Sequence, residues 1–110
     1  MKIATWNING IKARLVNLER WLKEASPDIA CLQEIKSIDE NFPSEVFEAL
    51  GYNVAVHGQK SFNGVAILSK KPFDEVRKGL PGNEDDEQAR YLEVVISTKS
   101  SVVRVASIYL

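Results

Sequence analysis

Ile29-Ala30-Cys31-Leu32-Gln33-Glu34-Ile35-Lys36 begins with a continuous apolar run and delivers its polar groups only at the end. Such a run fits a strand covered on both faces, where no apolar/polar alternation is expected. Pro27 bounds it upstream, because it disfavours helical backbone at Ser26 and offers no amide hydrogen. Before Pro27, Leu15, Leu18, Leu22 and Ala25 recur at three and four residues, which predicts an amphipathic helix ending there. Earlier still, Lys2 to Ile8 carries the strand formers Ile3, Thr5 and Trp6 and is closed by Asn9-Gly10. Strand, helix, strand in that order opens a mixed α/β fold.

Downstream, Pro43 to Leu50 reads as a second, shorter helix with Pro43 near its start and Gly51 at its C-terminal cap. Strands are expected over Tyr52 to His57, Val65 to Leu68 and Tyr91 to Ile96, and Thr98 to Ser101 makes a polar turn before a last strand, Val102 to Leu110. This order predicts a mixed sheet with helices on one face. No repeat, low-complexity tract or linker divides the chain, so residues 1–110 are expected to form one domain. The last strand is apolar and reaches the final residue. Domains usually close with a polar tail or a capping element, so the expectation is a domain truncated at its C-terminal end, against the alternative of a genuine edge strand.

With 45% hydrophobic residues, the 110-residue chain has material for one core. No apolar run approaches the roughly 20 residues needed to cross a bilayer. The opening MKIATWNING turns polar too early for a secretory signal, so the cytoplasm is the expected location. Cys31, the single cysteine, has no internal disulfide partner and is expected to be a buried, inert thiol. The net charge is −1, with acids clustered over Asn83 to Gln88. Proteins that hold nucleic acid by bulk charge are usually basic, so composition alone does not point to DNA.

The chemistry-bearing residues share a position. Asn7 and Asn9 lie where the first strand ends, Glu34 follows the second, and Tyr109 ends the last. Ligand sites of open α/β sheets gather beyond strand ends. A carboxylate there beside an amide oxygen suits a hard cation such as magnesium. By spacing alone, Glu34 reads equally well as a solvated charge.

Trp6-Asn7-Ile8-Asn9-Gly10-Ile11-Lys12-Ala13 resembles the opening motif of the exonuclease III branch of the endonuclease/exonuclease/phosphatase superfamily, and Leu32-Gln33-Glu34-Ile35-Lys36 resembles its second motif. Gly51-Tyr52-Asn53, His57-Gly58-Gln59-Lys60 and Gly64-Val65-Ala66-Ile67-Leu68 are similar to its intervening strands, in its order. The likeness covers essentially the whole chain. It implies the N-terminal half of a four-layered, two-sheet α/β sandwich (DNase I-like), mostly antiparallel, in a magnesium-dependent DNA-repair nuclease. Manganese would be a substitute metal. Carried over to this chain, Glu34 would be the principal metal ligand and Asn7 would contact the metal or position the phosphate. Tyr109 would orient or stabilise the scissile phosphate. Lys12 and Arg90 match positions that hold DNA backbone, although surface cations are more often simply solvated. His57 belongs to a strand end and is not expected to be the catalytic base.

The substrate so implied is duplex DNA with abasic sites, cut on the 5′ side, or with 3′ ends from which nucleotides are removed. The full-length protein is expected to be a monomer without membrane association. The family's Gly-Asp-x-Asn and Ser-Asp-His motifs are absent from these 110 residues. Without them no group activates the water, and losing several members of a catalytic unit leaves little activity. Lacking the second half of the sandwich, the first sheet's apolar face would be bare. The chain alone is therefore expected to be inactive and unstable or aggregation-prone. Two other readings are a phosphatase of inositol phosphates or a secreted deoxyribonuclease from the same superfamily, and a half-length product that binds DNA or a partner without catalysis.

Overall fold

The computed structural model describes residues 1–79 and 88–110. Of the acidic cluster at Asn83 to Gln88, only Gln88 lies within the described residues. The elements are β1 (Ile3–Asn7), α1 (Ile11–Ala25), β2 (Ile29–Gln33), α2 (Ser44–Ala49), β3 (Asn53–His57), β4 (Val65–Ser69), β5 (Glu75–Lys78), β6 (Tyr91–Ser97) and β7 (Val102–Ile108). They form a four-stranded sheet in the order β1-β2-β4-β3 and a three-stranded sheet in the order β5-β6-β7. Among these strands β1 and β2 pair in parallel and the other pairs are antiparallel, as the mixed, mostly antiparallel expectation required.

Alternation along β2 and β4 builds two cores. Ala30, Leu32, Ala66 and Leu68 face the helices and pack with Leu18 and Leu22 of α1 and Phe47 of α2. Ile29, Cys31, Val65 and Ile67 face the other way and pack on Leu92, Val94 and Ile96 of β6. Both faces of β2 are thus buried, as its unbroken apolar run demands. Each fully buried Leu or Ile contributes roughly 1.5–3 kcal/mol by leaving water. Burial also raises the Cys31 thiol to about 11, which keeps it neutral and unreactive.

That second core corrects one expectation. Three strands of the second sheet lie within this chain and cover the first sheet's apolar face. The cover thins at one side: β7 lies over β2 and β4, β6 lies over β3 and β4, and no described strand packs comparably over β1. Ile3 on β1 is accordingly 51% exposed.

Two further differences concern boundaries. Helix α1 starts at Ile11, one turn before the predicted Leu15, because Gly10 and Ile11 amides donate to the Glu34 and Ile35 carbonyls at 2.8 and 2.9 Å. The segment leaving β2 therefore caps α1. The edge strand β5 was absent from the expected elements, for its residues are mostly charged and exposed along its whole length. It is held by pairing with β6 and by Lys78, whose ammonium donates to Asp39 at 2.8 Å.

Candidate active site at the strand ends

Register places the predicted residues at one end of the sandwich. Asn7 pairs with Gln33, Gln33 with Val65, and Val65 with His57, so these four mark one rim of the first sheet. The second sheet aligns its own rim with it. Gln33 Nε2 donates to Ser107 Oγ at 3.1 Å, and Ser107 Oγ donates to the Leu32 carbonyl at 3.0 Å. Glu34, next after Gln33, and Tyr109, two residues after Ser107, therefore leave their strands at the same end.

The backbone here is unusual. Asn9, Glu34, Lys36, Ser61 and Asn63 all have positive φ, between 47 and 69°, and all lie in the loops at this end. Each such non-glycine residue costs on the order of 1–3 kcal/mol, and strain of this kind concentrates at functional sites. The left-handed turns at Glu34 and Lys36 bring the two side chains together at 3.5 Å between Nζ and Oε1. Lys36 Nζ also donates to Asn9 Oδ1 at 2.6 Å, and the Asn9 amide donates to Asn7 Oδ1 at 3.2 Å. Asn7, Asn9, Glu34 and Lys36 thus form one polar chain that joins the first two motifs. Sequence reasoning places Asn9 with Asn7 at the end of the first strand but assigns Lys36 no role; the only hint of it is a lysine two residues after the strand-end carboxylate.

Beside this chain lies a cleft of about 460 Å³ lined by Lys12, Lys36, Lys60, Ser37, Ser61 and Asn41, together with Ile38. Among the described residues three lysines and no carboxylate line it, so a molecule of net charge −1 carries a locally cationic groove. Lys12 lies where a DNA-backbone contact was expected. Lys60 joins it through the loop after β3 and was missed, because no periodicity predicts a loop's course. Phe62, on the same loop, is 56% exposed.

Tyr109 lies just past β7, its amide donating to the Arg90 carbonyl at 2.8 Å. The Arg90 guanidinium sits 5.2 Å from the Tyr109 ring centroid and donates to the Leu110 carbonyl at 3.0 Å. Arg90 is thus packed on the predicted phosphate-side tyrosine, while the Lys12 cleft is a separate feature.

For a hard cation, the donors at this end are the Glu34 carboxylate, whose side chain keeps 22% exposure, and the Asn7 amide oxygen. Both are oxygen ligands of the kind magnesium takes, and that ion commonly uses one or two carboxylates and retains several waters. Among the described residues no group of three or more His, Cys, Asp or Glu could hold a metal. The donor set fits magnesium as part of a site and does not by itself enclose one.

The two-sheet, mostly antiparallel α/β sandwich sets the class, and the family model agrees: residues 4–106 match the Endonuclease/Exonuclease/phosphatase family, to which this chain belongs. Among individual relatives, it is 41% identical to an exodeoxyribonuclease III of Haemophilus influenzae over 99% of this chain and 41% of that protein. Its structure resembles that of a 3′ phosphatase from Neisseria bound to product DNA hairpin, with TM-score 0.92, 38% identity and coverage of 99% of this chain and 41% of the other. An AP endonuclease from Archaeoglobus fulgidus aligns at TM-score 0.83 and 42% identity, over 88% of this chain and 37% of that one. The chain spans about two fifths of the length of these relatives.

Proposed function

We propose that this chain carries the first part of the active site of a magnesium-dependent DNA-repair nuclease of the exonuclease III type. The observation that supports this reading most directly is that Asn7, Glu34 and Tyr109 leave their strands at the same end of the sandwich, with a three-lysine cleft beside the Asn7–Lys36 chain. Glu34 and Asn7 would hold the cation, with manganese able to replace magnesium. When bound, it would act as a Lewis acid that stabilises charge on the phosphate and the leaving oxygen. Asn7 and Tyr109 are neutral groups able to donate hydrogen bonds as negative charge develops, without competing as cations for Glu34. Lys12, Lys36 and Lys60 would hold the DNA backbone, and Arg90 would hold it at the Tyr109 side while steadying the phenol. His57 is left outside the chemistry.

Duplex DNA is the substrate in this reading, incised 5′ to abasic sites or trimmed at 3′ ends. The group that activates the water is placed in the Gly-Asp-x-Asn and Ser-Asp-His motifs, which these 110 residues lack. The whole protein is read as a cytoplasmic monomer. No helix of the described residues is long and apolar enough to cross a membrane. Because one structural neighbour is a 3′ phosphatase, removal of a 3′-terminal phosphate is the second reaction to assay.

The test incubates end-labelled duplex DNA carrying one abasic site, or one 3′-phosphate, with magnesium and then with excess chelator. We expect no incision by the 110-residue chain. A polypeptide extended through the two motifs should incise in a magnesium-dependent way that Glu34→Ala abolishes. Incision by the 110-residue chain would overturn the assignment of the water-activating group. Faster turnover of an inositol phosphate than of DNA by the extended protein would move it to another branch of the family.

A further inference from the structure

Glu34 and Tyr109 stand on different sheets, so their separation depends on how one sheet slides over the other. Most of that interface is apolar, formed by Ile29, Cys31, Val65 and Ile67 against Leu92, Val94 and Ile96. Apolar burial is non-directional and does not by itself set a register along the strands. A hydrogen bond, which weakens steeply with distance and angle, does. One buried polar cluster crosses the interface at the rim. Gln33 is 9% exposed and Ser107 is 1% exposed. Gln33 Nε2 shares its two hydrogens among Ser107 Oγ at 3.1 Å, Thr5 Oγ1 at 2.9 Å and the Cys31 carbonyl at 3.3 Å; Ser107 directs its own proton to the Leu32 carbonyl at 3.0 Å. The cluster therefore spans β1, β2 and β7, and each of these strands runs directly on to a candidate active-site residue.

We propose that Ser107 and Gln33 are positioning residues: their cross-sheet hydrogen bonds set where Tyr109 stands relative to Glu34 and Asn7. This rests on the reading that Glu34 and Tyr109 serve one reaction. An apolar pair at 33 and 107 would avoid burying polar groups, whose desolvation is costly unless they are fully paired. The cluster supplies direction where the surrounding contacts supply only adhesion. Neither residue touches the substrate in this role.

The experiment uses the full-length protein that carries this chain, with 3-fluorotyrosine placed at position 109 and with Ser107→Ala and Ser107→Thr compared with the parent. A misplacement near 1 Å costs about 100-fold in rate. Ser107→Ala should therefore lower kcat on abasic duplex by about that factor, with KM for DNA within about twofold. Its fluorine resonance should split or broaden. Ser107→Thr, which keeps the hydroxyl, should restore both kcat and a single sharp line. Should Ser107→Ala fail to fold, Gln33→Met, close in volume, breaks the same bond from the other side and is read in the same two ways.

Unchanged kcat with a sharp line in the alanine variant overturns the proposal. So does a loss of kcat with an unaltered fluorine line, since the loss then arises elsewhere. So does a lowered melting temperature with kcat and fluorine line both intact, which assigns the cluster to stability alone. If the parent cuts no DNA, the nuclease reading fails, and the fluorine line alone decides the positioning: splitting on Ser107→Ala with recovery on Ser107→Thr upholds it, and no change sinks it.

Discussion

Lys36 stands between two demands at the residue scale. Its ammonium neutralises Glu34 and bonds Asn9, and it also lines the cationic cleft with Lys12 and Lys60. Partly exposed pairs such as Lys36–Glu34 are worth only about 0.2–1 kcal/mol, so under the proposed function a cation at Glu34 would release the lysine towards a phosphate at little cost. Lys12 makes no such bond with Glu34 and isolates the electrostatic role of the cleft. Each phosphate that a protein neutralises on duplex DNA adds about 0.9 to the steepness of log K against log salt. Lys12→Ala in the full-length protein should therefore flatten that slope by about one unit and weaken binding similarly on every DNA sequence. Titrations at several salt concentrations check this, and an unchanged slope would remove Lys12 from the interface. The places of Glu34, Asn7 and Tyr109 at strand ends were legible because strand ends can be read from the chain, while the roles expected of them came from the family resemblance alone. Lys36 and Lys60 were not, because their places depend on left-handed turns at Glu34, Lys36 and Ser61 that no periodicity announces.

Among elements, the junction between the exit of β2 and the entry of β4 carries the site. Gly64 has φ +90°, and a Cβ there would lie 2.5 Å from Cγ1 of Ile35, a fully buried side chain. The Gly64 carbonyl accepts from the Ile35 amide at 3.2 Å, and its own amide donates to the Ala89 carbonyl at 2.8 Å. Alanine at 64 would add overpacking of roughly 1–3 kcal/mol to a strained backbone of similar cost. Gly64→Ala should therefore destabilise by about 2–6 kcal/mol, read from urea unfolding midpoints. Because Ile35 adjoins Glu34, Gly64→Ala in the full-length protein should also lower incision of abasic duplex more than the folded fraction explains. A change below about 0.5 kcal/mol, the size of an ordinary surface substitution, would show that Ile35 moves aside freely. Helix α1 and the two-faced strand were legible from apolar spacing, and α2 from Pro43 near its start and Gly51 at its C-terminal cap. The start of α1 was open to the same reading, since Ile11 extends the series of Leu15, Leu18 and Leu22, but Asn9-Gly10 reads first as a strand end. Strand β5 could not be read: Glu75-Val76-Arg77-Lys78 owes its conformation to pairing with β6.

At the scale of the whole molecule, two edges stand open on the same side. Among the described residues β1 pairs only with β2 and β7 only with β6, and the second sheet thins before it reaches β1. The exposed Ile3 on β1, with Val102 and Ile108 exposed on β7, adds apolar surface to unpaired backbone. Such edges are templates for pairing with another chain. A net charge of −1 supplies little repulsion to prevent it. The instability expected from a bare sheet face is therefore relocated: the inter-sheet core is present, and the hazard lies along β1 and β7. The isolated 110-residue chain should associate in a concentration-dependent way, seen as a rising apparent mass in size-exclusion chromatography with light scattering. Ile3→Lys, which puts a charge on the uncovered side of the edge strand, should reduce that association with little loss of core packing, because residue 3 lies outside both buried clusters. A chain that stays monomeric at all concentrations and melts cooperatively would mean that these two sheets and two helices suffice as a folding unit. Association that Ile3→Lys leaves unchanged would shift the sticky edge to β7, where Val102→Lys would be the corresponding substitution.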